Sequence, residues 1–363
     1  MPKHRLMPVF MAAVLVGSAG STSAQSTGQN IDITKFVKVA RSQCLRLYPR
    51  IIAVKDGTYQ NGIKVRPPVN ATIDFRGVAV RGQANSSDAK SVTTVTGFNN
   101  VCILGGRHWG RQDPQIIPWV VGHSIYGAGI IFSGGAGAIA VENALIENSL
   151  QDGITLTGGL PNNVTFGMRG TYIRNNSDDG IQNDGGKRIL YIEDSLIESK
   201  MGISLRPGAD ATAGGGSYGS YKIPIRNTLI NVICVADDRP DGSDRRDPEA
   251  ARKNNCGPSR SASMLFKWSG AASGVGVEMT DSIVRYEARS RNGWDSMRWL
   301  PGTYRNVILV WDPVTPGMKY AGPPLPAGVR LTTDASIWAK AKAEWLRAHG
   351  CTANGACTFP NSY

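Results

Sequence analysis

The middle of the chain repeats, and that repeat constrains the fold more than any other feature. One copy runs from Ile139 to Leu156, the next from Val164 to Gln182, and a third from Ile189 to Leu205. Weaker copies follow at Ile223 to Val235 and Val275 to Tyr286. Aligned on Leu145, Tyr172, Leu196, Leu229 and Ile283, the first two steps are 27 and 24 residues, and the longer later steps hold insertions. Apolar residues alternate by two in short runs broken by Asn, Asp, Ser or Gly. That is the pattern of short strands between turns, whereas a helical repeat needs spacings of three and four. A repeat too small to bury its own apolar face must stack on its neighbours. The expected fold is therefore all-β, a right-handed parallel β-helix, with helical elements at its N- and C-terminal ends.

The alignment also orders the charges. Three positions before the anchors stand Glu142, Arg169, Glu193 and Arg226; two positions after stand Glu147, Arg174, Glu198 and Asn231. Like positions of stacked strands lie about 4.8 Å apart. Signs alternate down both columns, and opposite-charge pairs of this kind contribute roughly 0.2–1 kcal/mol each. Both columns are expected as structural ladders on the outside of the coil. The open first coil needs covering. Phe36, Val37, Val39, Ala40, Cys44 and Leu47 predict an amphipathic cap helix over Asp32 to Leu47. A second helix is predicted over Ile337 to His349, with Trp338, Ala341, Trp345 and Leu346 inward. The organisation expected is a leader over 1–24, the cap over 25–50, the β-helix over 51–315, and a tail over 316–363 with a helix and a disulfide loop.

The leader reading rests on Lys3 and Arg5, the apolar run Met7 to Val16, and the small residues ending at Ala24. It predicts a secreted or periplasmic protein, and no later stretch is long and apolar enough to span a membrane. Six cysteines suit an oxidising compartment. The favoured pairings are Cys351 with Cys357 and Cys234 with Cys256, which leaves Cys44 with Cys102. The formal net charge of +12 favours a polyanionic partner, above all an acidic polysaccharide. The basic residues do not cluster with aromatics as in nucleic-acid-binding proteins.

The aligned coils, clearest over about residues 130 to 290, resemble the pectate-lyase-like β-helix superfamily of pectate, alginate and chondroitin lyases, polygalacturonases and sugar epimerases. Polygalacturonases carry successive Asn-Thr-Asp, Asp-Asp and Gly-His-Gly coils and then Arg-Ile-Lys. Here Gln151-Asp152-Gly153-Ile154 falls at the first, Asp178-Asp179-Gly180-Ile181 at the second and Lys200-Met201-Gly202-Ile203-Ser204 at the third. The His is absent, and no Arg-Ile-Lys follows. The lyases of this fold place an arginine acid in a stretch similar to Ser199 to Gly208, which supplies Arg206 with Pro207 in place of His.

Two chemistries follow. Elimination from a uronic acid polymer needs its carboxylate neutralised and a base at the adjacent C–H. Lys200 and Arg206, with Asp178 and Asp179, are the expected catalytic set. Asp152, Asp179, Asn183 and Asp184 are the expected oxygen ligands for Ca²⁺. Asp152, Lys187, Arg188, Trp109 and Arg111 are the expected substrate contacts. This lyase reading is the first expectation. Hydrolysis would instead use Asp152, Asp178 and Asp179 as acid and base. A non-catalytic polysaccharide-binding coil is the third reading, because Asp-Gly pairs also suit turns.

Overall fold

A computed structural model describes residues 31–82, 91–110, 127–157, 159–183, 186–205, 220–233, 264–268, 274–287, 299–312, 319–320, 322–352 and 356–359. Twenty-two strands join there into one sheet, and every pairing between them is parallel. The early strands pair with the third strand onward, so Arg50–Ala53 pairs with Ala71–Asp74, then Asn99–Leu104, then Ala136–Glu142. Three ladders result. The first continues through Thr165–Arg169, Arg188–Glu193 and Tyr221–Arg226. The second runs Gly57–Tyr59, Val78–Arg81, Arg107–Trp109 and Leu145–Glu147 into the start of Tyr172–Gln182. The third runs Ile63–Val65, Thr93–Thr96, Ile130–Ser133 and Ile154–Leu156, then the ends of Tyr172–Gln182 and Leu196–Leu205, then Met264–Trp268. This arrangement is compatible with a parallel β-helix.

The core is built from columns of one residue per rung. Ile73, Ile103, Val141, Met168, Ile192 and Ile225 stack in the first ladder. Ile130, Ile154, Ile181, Ile203 and Phe266 stack in the third. All belong to one buried cluster. Burial on this scale is the main driving force, at about 25 cal/mol per Å² of apolar surface. Corners between ladders use Asn and Asp, which tolerate the left-handed region. Asn143, Asn148, Asn175, Asp194, Asn227, Asp281 and Asn306 all have φ between 47° and 55°. Their side chains also bond from rung to rung: Asn175 Nδ2 donates to Asn148 Oδ1 at 2.6 Å.

The aligned anchors are in register, Leu145 on Tyr172, Leu196, Leu229 and Ile283. So are both charge columns, Glu142–Arg169–Glu193–Arg226 and Glu147–Arg174–Glu198–Asn231. Arg169 reaches Glu142 at 3.4 Å and Glu193 at 2.9 Å, and Arg174 Nε donates to Glu147 at 2.6 Å. The columns face outward, and segments near the two chain ends cover much of them, burying Glu142 and Glu147 while Arg226 stays exposed.

The helix Ala335–Ala348 lies on the second ladder. Its Ile337, Trp338, Ala341, Trp345 and Leu346 pack on Leu145, Tyr172, Leu196, Leu229 and Ile283, and Lys342 pairs with Glu198 at 2.8 Å. The expected N-terminal cap helix is corrected. Only Ile33–Lys35 and Cys44–Leu47 are helical, and the segment is a strap along the first ladder. The Lys35 carbonyl accepts from Asn227, Ala40 N–H donates to Asp194, and Ser42 Oγ and Gln43 N–H donate to Glu142. Cys44 is joined to Cys102, and the Tyr48 carbonyl accepts from Thr72. Buried carboxylates need donors, and the strap's backbone supplies them in place of bonding within a helix.

The second disulfide joins Cys351 and Cys357. The leader and the Cys234–Cys256 pairing lie outside the described residues. The expected boundary at 315 falls short, since Val329–Thr332 still pairs with Gly302–Trp311. Among the described residues no helix is long and apolar enough to cross a membrane.

Candidate functional site

The strap and the helix direct their bonds and core contacts to the first and second ladders. The third ladder carries an outward column of Lys64, Thr94, Ile131, Thr155, Gln182, Ser204 and Lys267. At its centre stand Asp152, Asp178 and Asp179, each with one carboxylate oxygen within 4.8 Å of the others'. All three are buried, between 0% and 3% exposed.

They are not left-handed corner residues like Asn148 and Asn175, since none has a positive φ. The glycines that follow are needed for space. A Cβ on Gly153 would come within 2.6 Å of the Gly180 carbonyl, and one on Gly180 within 2.8 Å of the Gly202 carbonyl. The strand Tyr172–Gln182 shifts register between Arg174 and Asn176 and again before Asp179. That irregular stretch, with the stacked glycines beside it, brings two adjacent aspartates to one place.

Lys267 completes the cluster, with Nζ at 3.2 Å from Asp179 Oδ2 and 3.6 Å from Asp178 Oδ1. Burial opposes the Lys267 charge, but Asp179, Asp178 and Asp152 together hold its ammonium above the ordinary lysine range. Asp152 is pushed the other way. Burial first, then the Asp178 charge, raises its carboxyl to about 8, against the pull of Lys267, the Thr155 hydroxyl and the Asp179 N–H. A buried carboxyl whose proton affinity is raised in this way is suited to the role of a general acid.

The raised Asp152 carries a stability signature. The folded state holds a proton that an unfolded aspartate releases near pH 4. The stability it contributes is full below that pH and is lost as pH rises through about 8. Asp152→Asn, neutral throughout, should therefore gain on wild type as pH rises from about 4 to about 8, in Tm measured against pH, and hold that advantage unchanged at higher pH. A Tm difference that does not change with pH would refute the raised value.

Sequence reasoning found the three aspartates and missed Lys267. Phe266 and Lys267 continue the Ile203-Ser204 alternation in register, but a long insertion separates the two strands. The other expected residues are placed as follows. Lys200 is buried, 3% exposed, within Leu196–Leu205. Lys187 is wholly buried and donates Nζ to the Leu160 carbonyl, and burial lowers its proton affinity. Arg188 is exposed on the first ladder, away from the aspartates. Trp109 is flanked by the Arg81 and Arg107 guanidiniums, 4.1 and 4.3 Å from its ring centre. Arg111, Asp184 and Arg206 lie outside the described residues.

Of the oxygens expected for Ca²⁺, those of Asp152 and Asp179 come together and Asp184 lies outside the described residues. Asn183 closes a local turn, accepting from Lys187 N–H and donating to its carbonyl. The three aspartates are close enough to share an ion, but the Lys267 ammonium lies against two of them. The chain itself thus supplies one cation to the cluster. Comparison of the chain with protein-family models, curated proteins and solved structures found no match.

Proposed function

We propose that this chain is a right-handed parallel β-helix of the pectate-lyase-like kind that hydrolyses an acidic polysaccharide outside the cytoplasm. The observation that carries the reading is the convergence of Asp152, Asp178 and Asp179 on Lys267. The right hand follows from the strong preference of parallel crossovers, about 98%. Two disulfides favour an oxidising compartment. In the polygalacturonase pattern a lysine follows the third coil, and Lys267 follows it here, with Leu265 where that pattern has arginine.

In this reading Asp152, neutral at working pH, gives its proton to the glycosidic oxygen. Asp178 and Asp179, with the Lys267 ammonium against both, take the proton of the attacking water. Lys267 also offers a cation to the uronate of the substrate. Elimination fits less well, because a lysine held protonated by three acids is no base. No metal has a role in these steps.

The test is incubation of the purified protein with pectate, alginate, glycosaminoglycans and neutral glycans, with and without chelator. New reducing ends are expected from an acidic polymer, without ultraviolet absorbance from an unsaturated uronate, and undiminished by chelator. An absorbing product, or binding without cleavage of any polymer, would overturn the reading.

A further inference from the structure

Asp152 is held by two donors from different rungs. The Asp179 backbone N–H donates to Oδ1 at 3.2 Å, and the Thr155 hydroxyl donates to Oδ2 at 2.9 Å. Both residues that meet Oδ2 in this contact are buried, Thr155 at 2% and Asp152 at 1% exposure. A backbone amide can only donate, so Oδ1 is an acceptor in every protonation state. The hydroxyl is the adjustable partner. With Thr155 on one lone pair of Oδ2, the carboxyl plane is fixed from both ends, and the acid proton is directed away from Thr155.

We infer that Thr155 is a positioning residue for Asp152: it orients the carboxyl and stabilises the carboxylate left after the proton is given up. This rests on the hydrolytic reading above. As the Asp152 O–H bond breaks and the glycosidic oxygen takes the proton, negative charge develops on the Asp152 oxygens. The Thr155 O–H and the Asp179 N–H already point at them, so no reorganisation is needed when that charge forms. Thr155 faces outward from the third ladder, on the same strand as the core residues Ile154 and Leu156. Its own place in the strand is therefore held by packing on both sides, which keeps the donor still.

Thr155→Val keeps the branched shape and removes the donor. A hydrogen bond to a charged group lost from the transition state lowers kcat roughly 10- to 100-fold. KM should stay unchanged, and Thr155→Ser should restore most of the rate. A fall in KM-limited binding with kcat preserved, or no rescue by serine, would overturn the inference. A second measurement does not need activity. The Asp152 carboxyl carbon, labelled and assigned with Asp152→Asn, is followed by NMR against pH. Its midpoint should rise by about 1 unit in Thr155→Val and return in Thr155→Ser. Equal midpoints in wild type and Thr155→Val would sink the inference. A shifted midpoint in a protein that cleaves no glycan would sustain the contact and discard the hydrolytic reading instead.

Discussion

Asp179→Asn is expected to stop the release of reducing ends while leaving the three ladders intact. Asp179 is wholly buried, its carboxylate meets Lys267 at 3.2 Å, and its N–H holds Asp152. Asparagine preserves the shape and the backbone donor, so only the charge is lost. Lys267 keeps Asp178 as its partner, at 3.6 Å. A positioned acid or base contributes typically about 10²–10⁴ in rate, and the loss should fall in that range. Asp178→Ala with Asp179→Ala should remove activity altogether. Reducing-sugar release, with far-ultraviolet circular dichroism as the fold control, measures both. Turnover near wild type in the double variant, with the fold retained, would remove these aspartates from the chemistry.

The second large effect concerns stability. Arg169→Met is expected to cost about 3–5 kcal/mol, the range for breaking a buried ion pair from one side. Glu142 has a side chain only 1% exposed and would be left without the guanidinium. The donors left to it are Ser42 Oγ at 2.7 Å, Gln43 N–H at 2.6 Å, Cys44 N–H at 3.3 Å and the Tyr191 hydroxyl at 3.3 Å. The first three belong to the strap, so weakening Glu142 weakens the strap as well. Arg169 also lies 4.9 Å from the Tyr191 ring centre, a contact methionine reproduces only in part. Urea denaturation monitored by tryptophan fluorescence gives the number. A loss below about 1 kcal/mol would class the pair with exposed surface bridges.

The register was legible because a strand period of two fixes which residues face inward, and a slip of one would expose every Ile of the column. The alternating charges of Glu142, Arg169 and Glu193 carried the same information independently. The strap was not legible. Phe36, Val37, Ala40 and Cys44 have helical spacing, but the donors of Ala40 and Gln43 are claimed by carboxylates about a hundred residues or more away in sequence. Local periodicity has no access to that competition. Asp152, Asp178 and Asp179 were legible as a set and ambiguous in purpose, since an Asp-Gly pair reads as a turn. Only the backbone showed that Gly153 and Gly180 are there for close approach and have no left-handed φ. Lys267 was hidden by the long charged stretch Asp237 to Arg260, which separates it in sequence from the preceding strand Leu229–Val232.

The strap makes the rungs depend on one another. In a stacked repeat each unit contacts only its neighbours, and stability is nearly a sum of local terms. Here Lys35 is tied to Asn227, 192 positions on, Ala40 to Asp194, 154 positions on, and Cys44 to Cys102. The strap, which precedes every rung it touches, visits them in reverse order, so it can settle only after the rung of Asn227 exists. Contacts of such sequence separation slow folding. They also turn an array that would melt piecemeal into one that opens as a whole, and they fix the number of rungs between Thr72 and Asn227: a rung added or removed there would leave the strap out of step with every carboxylate it serves.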